Sequence, residues 1–290
     1  MAAIFYHLGA FFSRVLPRPI PQWIAWIIGQ GNWWLRWHTR PIIVENLRII
    51  HGGALSELRL RRRARRVVMN FAKAIQIFLE MPFLDWDEMR DRCDMSEFDA
   101  AVEALGPDKP FIIASGHIGP WELGGYYLAK KGFVVNTVAL EHPSSEVTGF
   151  YSERRSLLGI HAYPTAGSFH LLKASLERGE CVALLIDRAY GKVRKRFTLF
   201  GQETEFPLGH LVLALRCNVP VLTGAILFDG KERFRYVHGG THWPGSSTEE
   251  FERLEDLQDR CLRDLERIIR ENSDQWCHFR PLNRFESYDT

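Results

Sequence analysis

The segment Ala114-Ser115-Gly116-His117-Ile118-Gly119-Pro120-Trp121-Glu122 sets an imidazole five positions ahead of a carboxylate. Together such groups can take a proton from a hydroxyl: the acid holds one ring nitrogen while the other faces the proton to be removed. An unbroken helix would rotate positions 117 and 122 roughly 140° apart, and the two side chains would never meet. They can meet if His117 stands on a turn ahead of a helix, which is where Gly116 and Gly119 put it, with Pro120 suited to the first helical position. In that arrangement Glu122 can hold His117, as in the His–acid half of a triad, and an acceptor hydroxyl attacks without an enzyme nucleophile. Spacing alone carries little information. Eleven histidines and 35 acids in 290 residues give about 1.3 chance matches to His-x4-acid. The context carries the information: His117 follows an apolar run, lies between glycines and precedes a helix.

Other chemistries find less support. His238 and His242 have the spacing of a helical metal pair, but Gly239-Gly240 between them argues against the helix, so no metal site is expected. Ser115 is no nucleophile elbow, because Ile113 and His117 stand where glycines are needed. The chain has neither a phosphate-loop nor a dinucleotide fingerprint, and no cofactor is expected. Its five cysteines are odd in number and unpaired in spacing, which fits a reducing compartment better than a disulfide framework.

The elements that must position His117 follow from the apolar pattern. Phe111–Ala114, Val134–Leu140, Cys181–Ile186 and Val219–Leu227 read as strands, with Phe234–Val237 as an edge strand. Helices are expected near 120–131, 145–158, 168–178, 208–216 and 248–272. The alternation predicts an α/β fold, a largely parallel central sheet covered by helices, preceded by an amphipathic helical N-terminal region. The division expected is 1–80 for the basic, membrane-associating helices and 81–290 for the α/β domain.

A net charge of +2 conceals an asymmetry. Residues 1–80 carry twelve Arg and Lys, including the run Arg59–Arg66, against Glu45, Glu57 and Glu80; nine acids between Asp85 and Asp108 then reverse the sign. A basic end on a near-neutral chain points to an anionic surface or an acidic partner rather than to nucleic acid. Residues 3–37 form amphipathic helices broken by Pro17, Pro19 and Pro21, and carry Trp23, Trp26, Trp33, Trp34 and Trp37 among arginines. Indole, with an apolar ring and a polar N–H, suits the headgroup boundary of a bilayer. No signal peptide and no run of 18 apolar residues is visible, so contact at the interface is expected rather than a spanning helix.

The block Ser115–Glu122 resembles the signature of the late acyltransferases of lipid A biosynthesis, within the wider lysophospholipid acyltransferase superfamily. Further blocks follow in order: Glu153-Arg154-Arg155-Ser156-Leu157-Leu158-Gly159, Leu184–Gly191 around Asp187, Leu199-Phe200-Gly201, and Pro207-Leu208-Gly209. The resemblance covers about residues 40–280. It implies His117 as general base and Glu122 as the acid that orients it. It places Arg154, Arg155, Asp187, Arg188 and Gly201 on the substrate-binding side, with Arg154 or Arg155 neutralising a phosphate or an oxyanion. Pro120 and Arg188 stand where the family commonly shows Asn and Gln, and the segment after Gln275-Trp276 departs from the pattern.

The resemblance thus implies an acyltransferase on the cytoplasmic face of a bacterial inner membrane. Its donor would be an acyl thioester of acyl carrier protein or coenzyme A, and its acceptor a hydroxyl of a lipid or glycolipid. Lysophospholipids and other sugar lipids are alternative acceptors; a thioesterase and a catalytically silent lipid-binding module are alternative functions.

Overall fold

In a computed structural model, the structure describes residues 2–282 except 37, 107–108, 141, 143, 189–193, 246 and 248. Trp37, Asp108 and the Ala189-Tyr190-Gly191 end of the aspartate block lie outside the described residues. The chain opens with α1 (Ala2–Val15), α2 (Pro19–Leu35), α3 (Thr39–Ile50) and α4 (Glu57–Glu80). Pro19 and Pro21 fall in the first turn of α2, where a missing N–H costs nothing. Gly29 lets the backbone of α2 close on α4, since a Cβ there would sit 2.8 Å from the Met69 sulfur. The outer sides of α1 and α2 stay apolar: Phe5, Trp23 and Trp34 are 73%, 68% and 66% exposed, beside Phe11, Trp26 and Leu35. Trp33, by contrast, packs against the core. No helix among the described residues is long and apolar enough to cross a membrane.

After α5 (Trp86–Asp91), β1 (Cys93–Asp94) and α6 (Ser96–Leu105) come the alternating units: β2 (Ile112–Ser115), α7 (Glu122–Lys130), β3 (Val135–Ala139), α8 (Ser145–Leu157), β4 (Ile160–Pro164), α9 (Ser168–Glu177) and β5 (Cys181–Leu185). The hairpin β6 (Arg194–Leu199)–β7 (Gln202–Pro207) follows, then α10 (Gly209–Cys217), β8 (Val221–Asp229), β9 (Arg233–His242), α11 (Glu250–Glu271) and a 3-10 turn at Ser273–Gln275. Seven strands form one sheet in the order β1-β9-β8-β2-β5-β3-β4. The five from β8 to β4 run parallel, and β9 is antiparallel to β8. The expected α/β fold is therefore the observed one. β9 differs from expectation: it is longer than the edge strand read at Phe234–Val237, and β1 covers its outer side through Cys93 and Asp94. β4 is an additional strand at the opposite edge, where Pro164 at its end costs no ladder bond.

Parallel strands need both faces covered, and their sequences show it. Val221–Phe228 of β8 is buried without interruption. One core holds Ile112, Ala114, Val182 and Ile186 from β2 and the β5 end with Leu60, Ala64, Val67 and Val68 of α4 and Leu257, Cys261, Leu265 and Ile268 of α11. A second core, with Phe78, Phe98, Leu123, Tyr127, Val135 and Leu222, fills the other face. Side chains at the C-terminal ends of β2 and β5 thus emerge from a rigid, doubly covered layer.

Candidate active site

β2 and β5 are parallel neighbours in register, Ser115 opposite Leu185. Two residues beyond each partner stand His117 and Asp187, so the register delivers an imidazole and a carboxylate side by side at the carboxyl edge of the sheet. Open α/β sheets form their ligand crevices there. His117 Nδ1 lies 2.7 Å from Asp187 Oδ1, and the His117 backbone N–H donates to Asp187 Oδ2 at 2.9 Å. Trp276 Nε1 donates to the same Oδ2 at 2.9 Å. Asp187 is 2% exposed. Burial alone would raise its carboxyl, but the charge and hydrogen bond of His117, aided by Arg188, outweigh it and hold the group well below the usual carboxylate range. An ionised Asp187 only accepts, so Nδ1 of His117 carries the proton in the bond between them. A neutral imidazole then keeps a lone pair on Nε2.

The turn that carries His117 is tight. Ile118 N–H donates to the Gly116 carbonyl at 2.7 Å, and Gly119 sits at φ 58°. Trp121 has helical angles, so Glu122 opens α7. The Glu122 carboxylate crosses to α8, where Arg155 grips it with two bonds, Nη2 to Oε1 at 2.6 Å and Nε to Oε2 at 3.2 Å. The hydrogen bond expected from Glu122 to His117 is made by Asp187 instead. The physical reason is that β-sheet register fixes residue 187 beside the ring, while the helical start of α7 turns residue 122 toward a bidentate guanidinium.

The adjacent arginines of α8 separate cleanly. Arg154 is 7% exposed, donates to the Leu79 carbonyl at 3.2 Å and lies over the rings of Phe83 and Phe150 at 5.0 and 5.3 Å. It pins α8 against the end of α4. Arg155 lies over Tyr151 at 5.7 Å and faces a cavity.

That cavity has a volume of about 770 Å³, within the range of small-molecule sites. His117, Glu122, Arg155 and Arg188 line its polar part, and Phe71, Ile75, Leu128 and Leu172 belong to its apolar walls. Tyr6 of α1 also lines it, packed on Tyr151 at 5.4 Å. Arg154, Asp187 and Gly201, three of the residues expected on the substrate side, do not line it. Asp187 is buried behind the imidazole, and Arg154 is a packing residue. Gly201, at φ 74° beside Phe200 at φ 51°, makes the two-residue turn between β6 and β7. Arg188 lines the cavity and donates to the Cys277 carbonyl.

Sequence reasoning missed Trp276 as a partner of the site. The Gln275-Trp276 pair was visible, but no spacing links position 276 to position 187; only the fold brings them together. His238 and His242 lie on β9, where a strand replaces the helix a metal pair would need, and His242 bonds Asp264.

Residues 2–285 match the family model described as "Bacterial lipid A biosynthesis acyltransferase". Among curated proteins, the chain is similar to a phosphatidylinositol mannoside acyltransferase of Mycolicibacterium smegmatis, 24% identical over 168 residues, 57% of this chain and 53% of that protein. It is also similar to a protein of the same name from Mycobacterium tuberculosis, 25% identical over 142 residues, 47% of this chain and 44% of that protein. The matched region spans about half the length of these relatives.

Proposed function

The chain belongs to the bacterial lipid A biosynthesis acyltransferase family, and from that premise we propose that it moves a fatty acyl group from a thioester to a hydroxyl of a lipid or glycolipid. The observation that carries the reading is the His117–Asp187 dyad beside a largely apolar cavity. Asp187 keeps the proton of His117 on Nδ1, and Nε2 takes the proton of the acceptor hydroxyl as its oxygen attacks the thioester carbonyl. The tetrahedral intermediate collapses with loss of the thiolate. His117 returns its proton to the sulfur, leaving an ester and a free thiol. Arg155 and Arg188 supply positive charge for a phosphate or for the developing oxyanion, and the Glu122–Arg155 pair sets the orientation of that guanidinium.

The apolar outer sides of α1 and α2 rest on the membrane in this reading, with the tryptophans of α2 at headgroup level. Because α1 also contributes Tyr6 to the cavity wall, acceptor and acyl chain reach His117 from the bilayer. Similarity to phosphatidylinositol mannoside acyltransferases favours a mannosylated inositol lipid over lipid A as acceptor. The basic run Arg59–Arg66 suits the acidic surface of acyl carrier protein, with coenzyme A as the other carrier of the same thioester.

The test supplies purified protein with labelled acyl chains on either carrier and with total membrane lipid. The expected product is label in an ester of one lipid species, identified by mass. Label released only as free fatty acid, at a rate that lipid does not raise, would replace the reading with a thioesterase.

A further inference from the structure

Beyond the cavity, residues 273–278 lie across the turn that carries His117. The side chain of Gln275 pairs with the backbone at the end of β8: Oε1 accepts from the Phe228 N–H at 2.8 Å, and Nε2 donates to the Phe228 carbonyl at 3.1 Å. On the other side, Gly119 N–H donates to the Gln275 carbonyl at 3.0 Å, and Cys277 N–H donates to the His117 carbonyl at 2.8 Å. Ile118 and Trp276 thereby form an antiparallel bridge. The segment is thus a fragment of strand whose only partner in that bridge is the catalytic turn itself. Asn70 of α4 ties down its start through the Asp274 carbonyl at 2.8 Å.

Trp276 is 3% exposed. Its ring stacks on His278 at 4.6 Å and meets Phe200 at 6.0 Å. A buried indole N–H needs an acceptor, and a backbone carbonyl would serve as well as any for packing. Here the acceptor is the carboxylate that already holds His117. Asp187 Oδ2 accepts from Trp276 Nε1 and from the His117 N–H, leaving Oδ1 for His117 Nδ1.

We propose that Ser273–His278 is a positioning strap for the dyad, in which Trp276 fixes Asp187 through its indole N–H and fixes the His117 turn through its backbone bridge. The proposal rests on the reading of His117 as general base. Without the indole donor, Oδ2 keeps one donor and the carboxylate can turn out of the imidazole plane.

Trp276→Phe keeps an aromatic ring at the position and removes the N–H together with part of the indole's bulk, so Tm is followed beside kcat to separate the two. The expected result is a kcat about tenfold lower with KM for the thioester little changed, as for other groups that orient a catalytic side chain. In an Asp187→Asn background the same change lowers kcat by a smaller factor, because the indole then donates to a neutral amide oxygen and the dyad it positions is already lost. Equal fractional losses in both backgrounds, or a lowered Tm with wild-type kcat, would make Trp276 a packing residue and overturn the proposal. If Asp187→Asn itself keeps the wild-type rate, the dyad reading fails rather than the strap alone.

Discussion

An Asp187→Asn protein is expected to fold and to transfer acyl groups about 10³-fold more slowly than wild type, a loss of about 4 kcal/mol in transition-state stabilisation. The size of the loss follows from the geometry around the carboxylate. Two donors, the His117 N–H and Trp276 Nε1, converge on Oδ2, and one, His117 Nδ1, meets Oδ1. An asparagine amide satisfies the larger number by turning its oxygen to the two donors. Its NH2 then points at Nδ1 and forces the imidazole to carry its proton on Nε2. The ring keeps its place and loses the lone pair that should receive the acceptor's proton. Because the substitution is isosteric in a site 2% exposed, Tm serves as the control for folding. Wild-type kcat in a protein with near-wild-type Tm would remove Asp187 from the dyad.

The second large effect concerns a residue that touches no substrate. Gly119 stands at φ 58°, and a Cβ there would come 2.1 Å from the Ile226 carbonyl oxygen and 3.1 Å from Leu227 Cα. Both are backbone atoms of the central strand β8, so no side chain can swing aside. Gly119→Ala combines left-handed strain with overpacking against a rigid sheet, at about 4 kcal/mol in total. For a chain of this size that lowers Tm by roughly 10 °C. Whatever fraction folds is expected to be nearly inactive, since relief of the clash moves the turn that carries His117. Gly31→Ala is the matched control, with open space around the position and α2 helix on both sides; its Tm is expected within a few degrees of wild type. Similar Tm and kcat for the two variants would show that the turn tolerates displacement.

Much of this was legible in the sequence, for identifiable reasons. Apolar runs at Phe111–Ala114, Cys181–Ile186 and Val219–Leu227 mark the three central strands because parallel strands buried on both faces must be apolar throughout. Gly116 and Gly119 mark a turn that lifts His117 off the strand. Which carboxylate meets the His117 ring was not legible, because two candidates satisfy different kinds of pattern. Glu122 is close in sequence, whereas Asp187 is close only through the β2–β5 register. Likewise, no periodicity distinguishes Arg154 from Arg155; the packing of α8 against Phe83 and Phe150 decides which of them faces the cavity. The hairpin β6–β7 was visible in principle. Phe197 and Leu199 alternate with exposed residues, as a half-buried strand requires, and Phe200-Gly201 forms its turn. β1 is too short, and β4 (Ile160–Pro164) too mixed in polarity, to announce themselves.

The most direct measurement is single-turnover transfer of a labelled acyl chain from its thioester into membrane lipid, with wild type beside His117→Ala and equal folding confirmed by circular dichroism. Wild type is expected to place label in one lipid ester, and the variant to be slower by at least about 10³-fold, since the imidazole placed to take the acceptor's proton is gone. Transfer at the wild-type rate by folded His117→Ala would contradict the central claim, and the dyad at the ends of β2 and β5 would then be a structural feature of the sheet edge.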